Sequence, residues 1–465
     1  MSPQCESVSL ASGSADNTLG SDDLSVERKH GDPVFRVVLR RVPAALIARG
    51  IGAVTGFGLN LFMARRLGAH GAGVLQLAIT ISMASAVVAT LGLDMAGLRF
   101  ASGAARMGDM PTFRAVYRHA IRAGLAASLC GSAIIFALSE SLAVHVFQEP
   151  GMTKPLQIMA LTVVPRAMSH ILAAFLRALG RITMAGFLDF VGISTIAVAV
   201  LAFTRLDSVV SFAALLCGVT FAVWLTGLFA MKQRLRDTEP GRFELGELLR
   251  TAMPLMWAAV LSFTFQVADT LMLGLLRSGE EVGVYAAVLK LGAVVSMLLL
   301  AVNYVTAPQF AGMWHAGDIV ALGKLARRTA LLMSLLVTPV VAALVIFPGP
   351  ILSMFGAEFR VGGTALIAVA LGQFANVATG SVGYLLAMTG NQRAFRNTLA
   401  AGAILFIGLN LVLIPRYGMT GAGIAFGVAI TVQNLLQTAV VRRRIGILVL
   451  PIPGARFAAI KGALD

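Results

Sequence analysis

Arg166, His170 and Arg177 sit in LTVVPRAMSHILAAFLRALG, residues 161–180, a stretch otherwise apolar and long enough to cross a bilayer. At 100° per residue the three fall within about 40° of one another, on one cationic stripe. An ionisable side chain at the bilayer centre costs about 2.5–3.5 kcal/mol on insertion scales, so it faces a cavity or a partner. Guanidinium groups bind phosphate or carboxylate through paired hydrogen bonds, which makes such a stripe suited to an anion. Arg177 lies near the end of the stretch and can snorkel to the surface. Arg166 is too deep for that. It lines a cavity or forms a buried pair with Asp189, and its depth favours the cavity. His170 alone reads as a satisfied core histidine, and its place on the Arg166 face makes it a binding candidate.

Other polar groups share faces in the same way. Arg49, Gly52, Gly56 and Asn60 do so, and are either a packing face with one interfacial arginine or a second cavity wall. Gln373, Asn376, Gly380 and Tyr384 form an uncharged polar face. Asp269 and Lys290 read as a structural ion pair between adjacent helices or as a proton or cation relay. Nucleophile and phosphate-loop motifs are absent: there is no GxxxxGK[ST], HExxH or GxSxG. Cys5, Cys130 and Cys217 are scattered, with no CxxC and no His/Cys cluster, so neither a metal nor a cofactor is expected. The chain reads as a transporter and not an enzyme.

The elements that hold these residues follow from composition. Of 465 residues 57% are hydrophobic and 13% charged, with a mean hydropathy of +0.84. The apolar blocks run about 20 residues, the length of a membrane-spanning helix. Twelve are expected, near 42–64, 72–98, 117–139, 155–177, 183–204, 209–231, 250–276, 283–307, 329–354, 362–388, 394–415 and 419–441. Proline kinks are expected at Pro165, Pro254, Pro308 and Pro339. Residues 1–35 read as a disordered polar tail. Residues 36–231 and 250–444 read as two six-helix bundles, 232–249 as a linker loop and 445–465 as a second tail.

Charge sets the orientation. Twenty-seven of the 37 basic residues fall on the side of the two termini. Seven fall opposite, namely Arg65, Arg66, Lys154, Arg205, Arg277, Arg360 and Arg416, and Arg49, Arg166 and Lys290 lie inside helices. By the positive-inside rule both termini are cytoplasmic. The formal charge of +15 is then topogenic, and no nucleic-acid partner is needed to account for it. RRLGAHGAGVLQLA (65–78) matches LLRSGEEVGVYAAV (275–288), Gly180 stands opposite Gly390, and Arg99–Phe100 opposite Gln309–Phe310, all at an offset of 210. An offset of six helices preserves direction. It predicts an all-α polytopic membrane protein of about 12 helices in two parallel six-helix halves around a central cavity.

Several segments resemble a known family. ARRLGAHGAGVLQLAIT (64–80), ADTLMLGLLRSGEEVGVYAAVLKLG (268–292), LLAMTGNQR (385–393) and PRYGMTGAGIA (415–425) resemble bacterial polysaccharide flippases of the Wzx type, in the multidrug/oligosaccharidyl-lipid/polysaccharide exporter superfamily. The resemblance spans roughly 42–444. It implies alternating access and an undecaprenyl-diphosphate-linked oligosaccharide repeat unit moved across the bacterial cytoplasmic membrane for surface polysaccharide. It implies membrane lipids, a polysaccharide polymerase and export proteins as partners. Arg49, Arg166 and His170 would then receive the diphosphate or acidic sugars. Gln373, Asn376 and Tyr384 would receive sugar hydroxyls, and Asp269 with Lys290 would couple an ion. A cation-coupled multidrug exporter of the same superfamily, or an integral-membrane glycan polymerase or transferase, are the alternatives. The basic residues inside the membrane argue against the exporter.

Overall fold

The computed structural model describes residues 33–235, 239 and 241–449, and among them every regular element is helical. Most of the expected tails and part of the linker lie outside the described residues. The chain divides into Met1–Pro43, of which residues 33–43 are described as helix, and a compact unit Ala44–Asp465 that holds everything discussed below.

The helices are α1 (Pro33–Ala89), α2 (Leu93–Arg106), α3 (Met110–Ser141), α4 (Thr153–Leu161), α5 (Val163–Ala178), α6 (Ile182–Gly186), α7 (Gly192–Phe203) and α8 (Val209–Leu235). They continue as α9 (Leu245–Leu276), α10 (Gly279–His315), α11 (Ile319–Ile346), α12 (Pro348–Leu352), α13 (Gly363–Ala378), α14 (Val382–Met388) and α15 (Gln392–Ile445). At 1.5 Å per residue α1 and α15 would each be about 80 Å long, more than twice the hydrocarbon thickness. Both are broken, at Gly68 (φ 69°, ψ 178°) and Gly418 (φ 55°, ψ −136°), where an L side chain would be strained. Each therefore supplies two crossings. Eight described helical stretches are long and apolar enough to cross, or nine with the bent pair α6–α7, and two of the eight contain the glycine breaks. All twelve expected positions carry helix, several of them as broken pieces such as α4–α5 and α13–α14. The fourth crossing breaks at Thr162. Pro165 therefore stands in the first turn of α5, where its missing N–H removes no helical bond.

The repeat is visible in turn geometry. Gly180 (φ 73°) ends α5 and Gly390 (φ 78°) ends α14. The Arg181 N–H donates to Leu176 O at 2.9 Å, and the Asn391 N–H to Leu386 O at 3.0 Å. Asp109 caps α3 by accepting from the Thr112 N–H at 3.0 Å, and Asp318 caps α11 by accepting from Ala321 at 2.8 Å. Hydrogen bonds from the side chain and backbone of Thr112 hold the Asp109 carboxyl below the usual carboxylate range.

At the opposite end, here the joint face, the halves meet backbone to backbone. A Cβ on Gly73 would lie 1.7 Å from Gly279 O and 2.7 Å from Gly283 N. A Cβ on Gly283 would lie 1.9 Å from Ala69 O and 2.9 Å from Gly73 N. Ala69 and Gly279 are themselves 210 apart, so the contact is self-complementary and a two-fold axis passes through it. Glu149 of the first half accepts the Gly279 N–H at 2.9 Å, on the positive end of α10. Phe57 stacks edge-on to Phe355 at 5.5 Å across the same seam.

Three arginines on this face are fastened to carbonyls at helix ends. Arg66 donates to Leu201 O and Thr204 O, Arg277 to Ile414 O (3.2 Å) and Pro415 O (2.7 Å), and Arg65 to Met354 O (2.7 Å). These are orphan acceptors of terminated helices, and a cation suits the negative dipole end. Arg277→Met should lower unfolding stability by about 1.5–3 kcal/mol, the worth of charge-assisted hydrogen bonds. Thermal unfolding in detergent reads it, and an unchanged midpoint would remove the clamp from the stability of this face.

Candidate functional site

Two of the cavities inside the compact unit are lined by the candidate residues, one mainly in each half. The first is about 280 Å³ and is lined by both segments of α1, by α5 and α8, and by α10 of the second half. Arg166 and Lys290 both line it. Arg166 makes no hydrogen bond or ion pair with any described residue. Asp189 is on the wall as well, with its side chain 4% exposed, but both of its oxygens are engaged. Arg177 donates to Oδ2 at 2.5 Å, and the His170 Nδ1 lies 3.1 Å from Oδ1. The cationic stripe of α5 therefore divides. Two members turn to Asp189 and the deep one is left to the cavity. The π-helical turn Phe187–Val191 between α6 and α7 carries Asp189 to that position. Gly52, Gly56 and Asn60 also line this cavity, and a Cβ on Gly56 would meet nothing within 4 Å. Gly56 thus widens a cavity and does not seat a neighbouring helix. The Arg49 side chain lies outside the described residues.

The second cavity is about 710 Å³ and lies among α10, α13, α14 and α15. Asn376 and Tyr384 line it. Gln373 is 8% exposed and joins from one turn away. Asn376 Nδ2 donates to Gln373 Oε1 at 3.2 Å, and Asn434 Nδ2 donates to Asn376 Oδ1 at 3.2 Å. Gln433, Asn434 and Gln437, spaced one and three apart in TVQNLLQTAV, complete the wall with Asn303. Sequence reasoning passed over this amide group although it is a visible polar face in an apolar span. Asn376 stands 210 residues after Arg166, so the repeat puts an arginine in one cavity and an asparagine at the same place in the other.

Asp269 and Lys290 are not partners. Asp269, 2% exposed, accepts from the Tyr285 hydroxyl at 2.8 Å and from the Thr270 N–H at 2.7 Å. Lys290 belongs to the Arg166 cavity. Among the described residues no group of three His, Cys, Asp or Glu side chains could hold a metal ion.

Residues 62–360, well over half of the chain, match the sequence profile of a family described as polysaccharide biosynthesis protein. The chain belongs to that family. The matched region contains Arg166, Asp189 and Lys290. No curated protein sequence matches the chain.

Solved structures share the fold of this polysaccharide biosynthesis protein. An inward-facing multidrug resistance MATE family transporter of the MOP superfamily aligns with a TM-score of 0.70 at 12% identity, covering 87% of this chain and 98% of that one. The lipid II flippase MurJ, in an inward closed conformation, aligns at 0.71 and 13%, covering 85% and 87%. A MOP superfamily transporter from Pyrococcus furiosus, described as having a binding pocket of reverse polarity, aligns at 0.60 and 14%, covering 90% and 96%. At these identities the likeness carries the fold. This polysaccharide biosynthesis protein shares the fold of those proteins and carries helices long and apolar enough to cross a membrane many times, and its site chemistry has to be argued from its own residues.

Proposed function

We propose that the protein flips an undecaprenyl-diphosphate-linked oligosaccharide repeat unit across the bacterial cytoplasmic membrane, for surface polysaccharide, by alternating access. The observation that carries the reading is Arg166, unpaired in a cavity it shares with Lys290 of the other half. Two cations at one low-dielectric wall, with the nearby carboxylate already engaged, replace the water around a diphosphate. A cationic drug would want the opposite sign. Lys290 belongs in this reading to the anion site, and Arg49 stays a candidate beside it. His170 acts through Asp189, as a positioning residue. Gln373, Asn376 and Tyr384 receive sugar hydroxyls, and the lipid chain stays in the bilayer. Buried Asp269, held by Tyr285 and Thr270, is the candidate for ion coupling. The divisions 36–231 and 250–444 are the moving halves, both termini are cytoplasmic, and a polymerase and export proteins take the product. No chemical step is assigned to the chain.

Deletion in the native host should leave lipid-linked repeat units accumulating on the cytoplasmic leaflet. Leaflet-specific lectin or chemical labelling of extracted lipid-linked glycans reads this. Arrest of their synthesis, or units already outside, would refute the flippase reading.

A further inference from the structure

The larger cavity differs from the first in one respect that bears on the cargo: no acidic or basic side chain among the described residues lines it. Its polar wall is made of amides, chiefly Asn303, Asn376, Gln433, Asn434 and Gln437, with the ring of Tyr384. Each amide offers two donors and an acceptor, as a sugar hydroxyl offers both. Part of that capacity is unspent. Gln437 is 2% exposed, and its Nε2 has no hydrogen-bond partner among the described residues; the same holds for Oε1 of Gln433. A buried amide left so costs free energy unless something else pairs with it.

We infer that this second cavity is the glycan subsite and that it selects an uncharged glycan, neutral hexoses or N-acetylhexosamines, over one bearing a uronate or another acidic sugar. The inference rests on the flippase reading above and adds its specificity. A carboxylate brought here would be buried with no cation to meet it, which is far more costly than burying a hydroxyl among amides. The molecule can build an anion site, and does so at Arg166. At the repeat-equivalent place in this cavity it has Asn376. The cargo is thereby divided by chemistry: phosphate charge in the first half, neutral hydroxyls in the second.

The test uses the full chain in proteoliposomes with two probes, polyprenyl diphosphates bearing the same disaccharide with its terminal sugar either a neutral hexose or the matching hexuronate. Free forms of the two disaccharides are also titrated onto the detergent-solubilised protein. The neutral probe should be flipped about tenfold faster or more, the scale of a buried unpaired charge. Asn376→Arg should shrink that ratio toward one or invert it. Gln437→Leu, which changes no charge, should slow the neutral probe and keep the ratio, with thermal unfolding showing the variant folded. Equal rates for both probes in the wild type overturn the inference and leave the flippase reading standing. Selective binding of the free neutral disaccharide without flipping supports the subsite and overturns the flippase reading. Neither flipping nor binding overturns both.

Discussion

Gly73→Ala should keep the protein from closing its joint face. The added Cβ would sit 1.7 Å from Gly279 O and 2.7 Å from the Gly279 carbonyl carbon, both backbone atoms that no rotamer change can move aside. The halves must separate locally or the closed state is lost. Overpacking of this kind costs about 1–3 kcal/mol or more, which lowers the closed population roughly 5- to 150-fold. Gly283→Ala meets Ala69 O at 1.9 Å and should behave alike. The double variant should fall short of the sum, because both substitutions wedge one contact. A membrane-impermeant maleimide can read the state. Gln76→Cys on the cavity wall, in a background with Cys5, Cys130 and Cys217 replaced by serine, should be protected from outside in the parent. It should become reactive in the Gly73→Ala variant, with export of glycan lost. A Gly73→Ala protein that stays protected and exports normally would show that this seam does not gate.

The second large effect concerns Arg166. Since its guanidinium bonds to no described residue, Arg166→Ala should abolish flipping while leaving unfolding stability unchanged or slightly raised. Arg166→Lys keeps the charge, loses the bidentate fork and should retain part of the rate. Lys290→Gln should reduce flipping to a lesser degree. Asp189→Asn is the contrast. It loosens Arg177 and His170 from their acceptor, so stability should drop by about 1–3 kcal/mol, discounted for the partial exposure of both partners. Transport in proteoliposomes and thermal unfolding, measured together, separate the two. Full activity of a stably folded Arg166→Ala protein would take this residue out of the mechanism.

How much of this was readable beforehand depends on the kind of signal. The twelve helical positions and the 210 offset were legible, because apolar length and recurring glycines are properties of the string itself. Arg166 was legible because a deep cation is expensive. The pairing of Asp189 was not, since it depends on the π-helical turn at 187–191, which shifts the register of everything after it. Asp269 was matched with Lys290 on charge, but antiparallel neighbours meet at equal distance from their joint. Asp269 lies about 10 Å before the end of α9 at 1.5 Å per residue, Tyr285 about 9 Å past the start of α10, and Lys290 about 16 Å past that start. Gln433, Asn434 and Gln437 carry no charge, so neither the basic-residue pattern nor the ionisable groups inside the spans point to them, and their role is set by which neighbours leave space.

The self-complementary seam at Ala69, Gly73, Gly279 and Gly283 has a consequence for assembly. A surface that receives its own repeat is the surface of a homodimer, here with both subunits on one thread. The connection between α8 and α9 thus supplies effective concentration more than architecture. A half set free by cleavage there keeps a face shaped for its counterpart and equally shaped for another copy of itself. Fidelity of assembly therefore rests on the thread, and a nicked chain is open to exchange of halves between molecules.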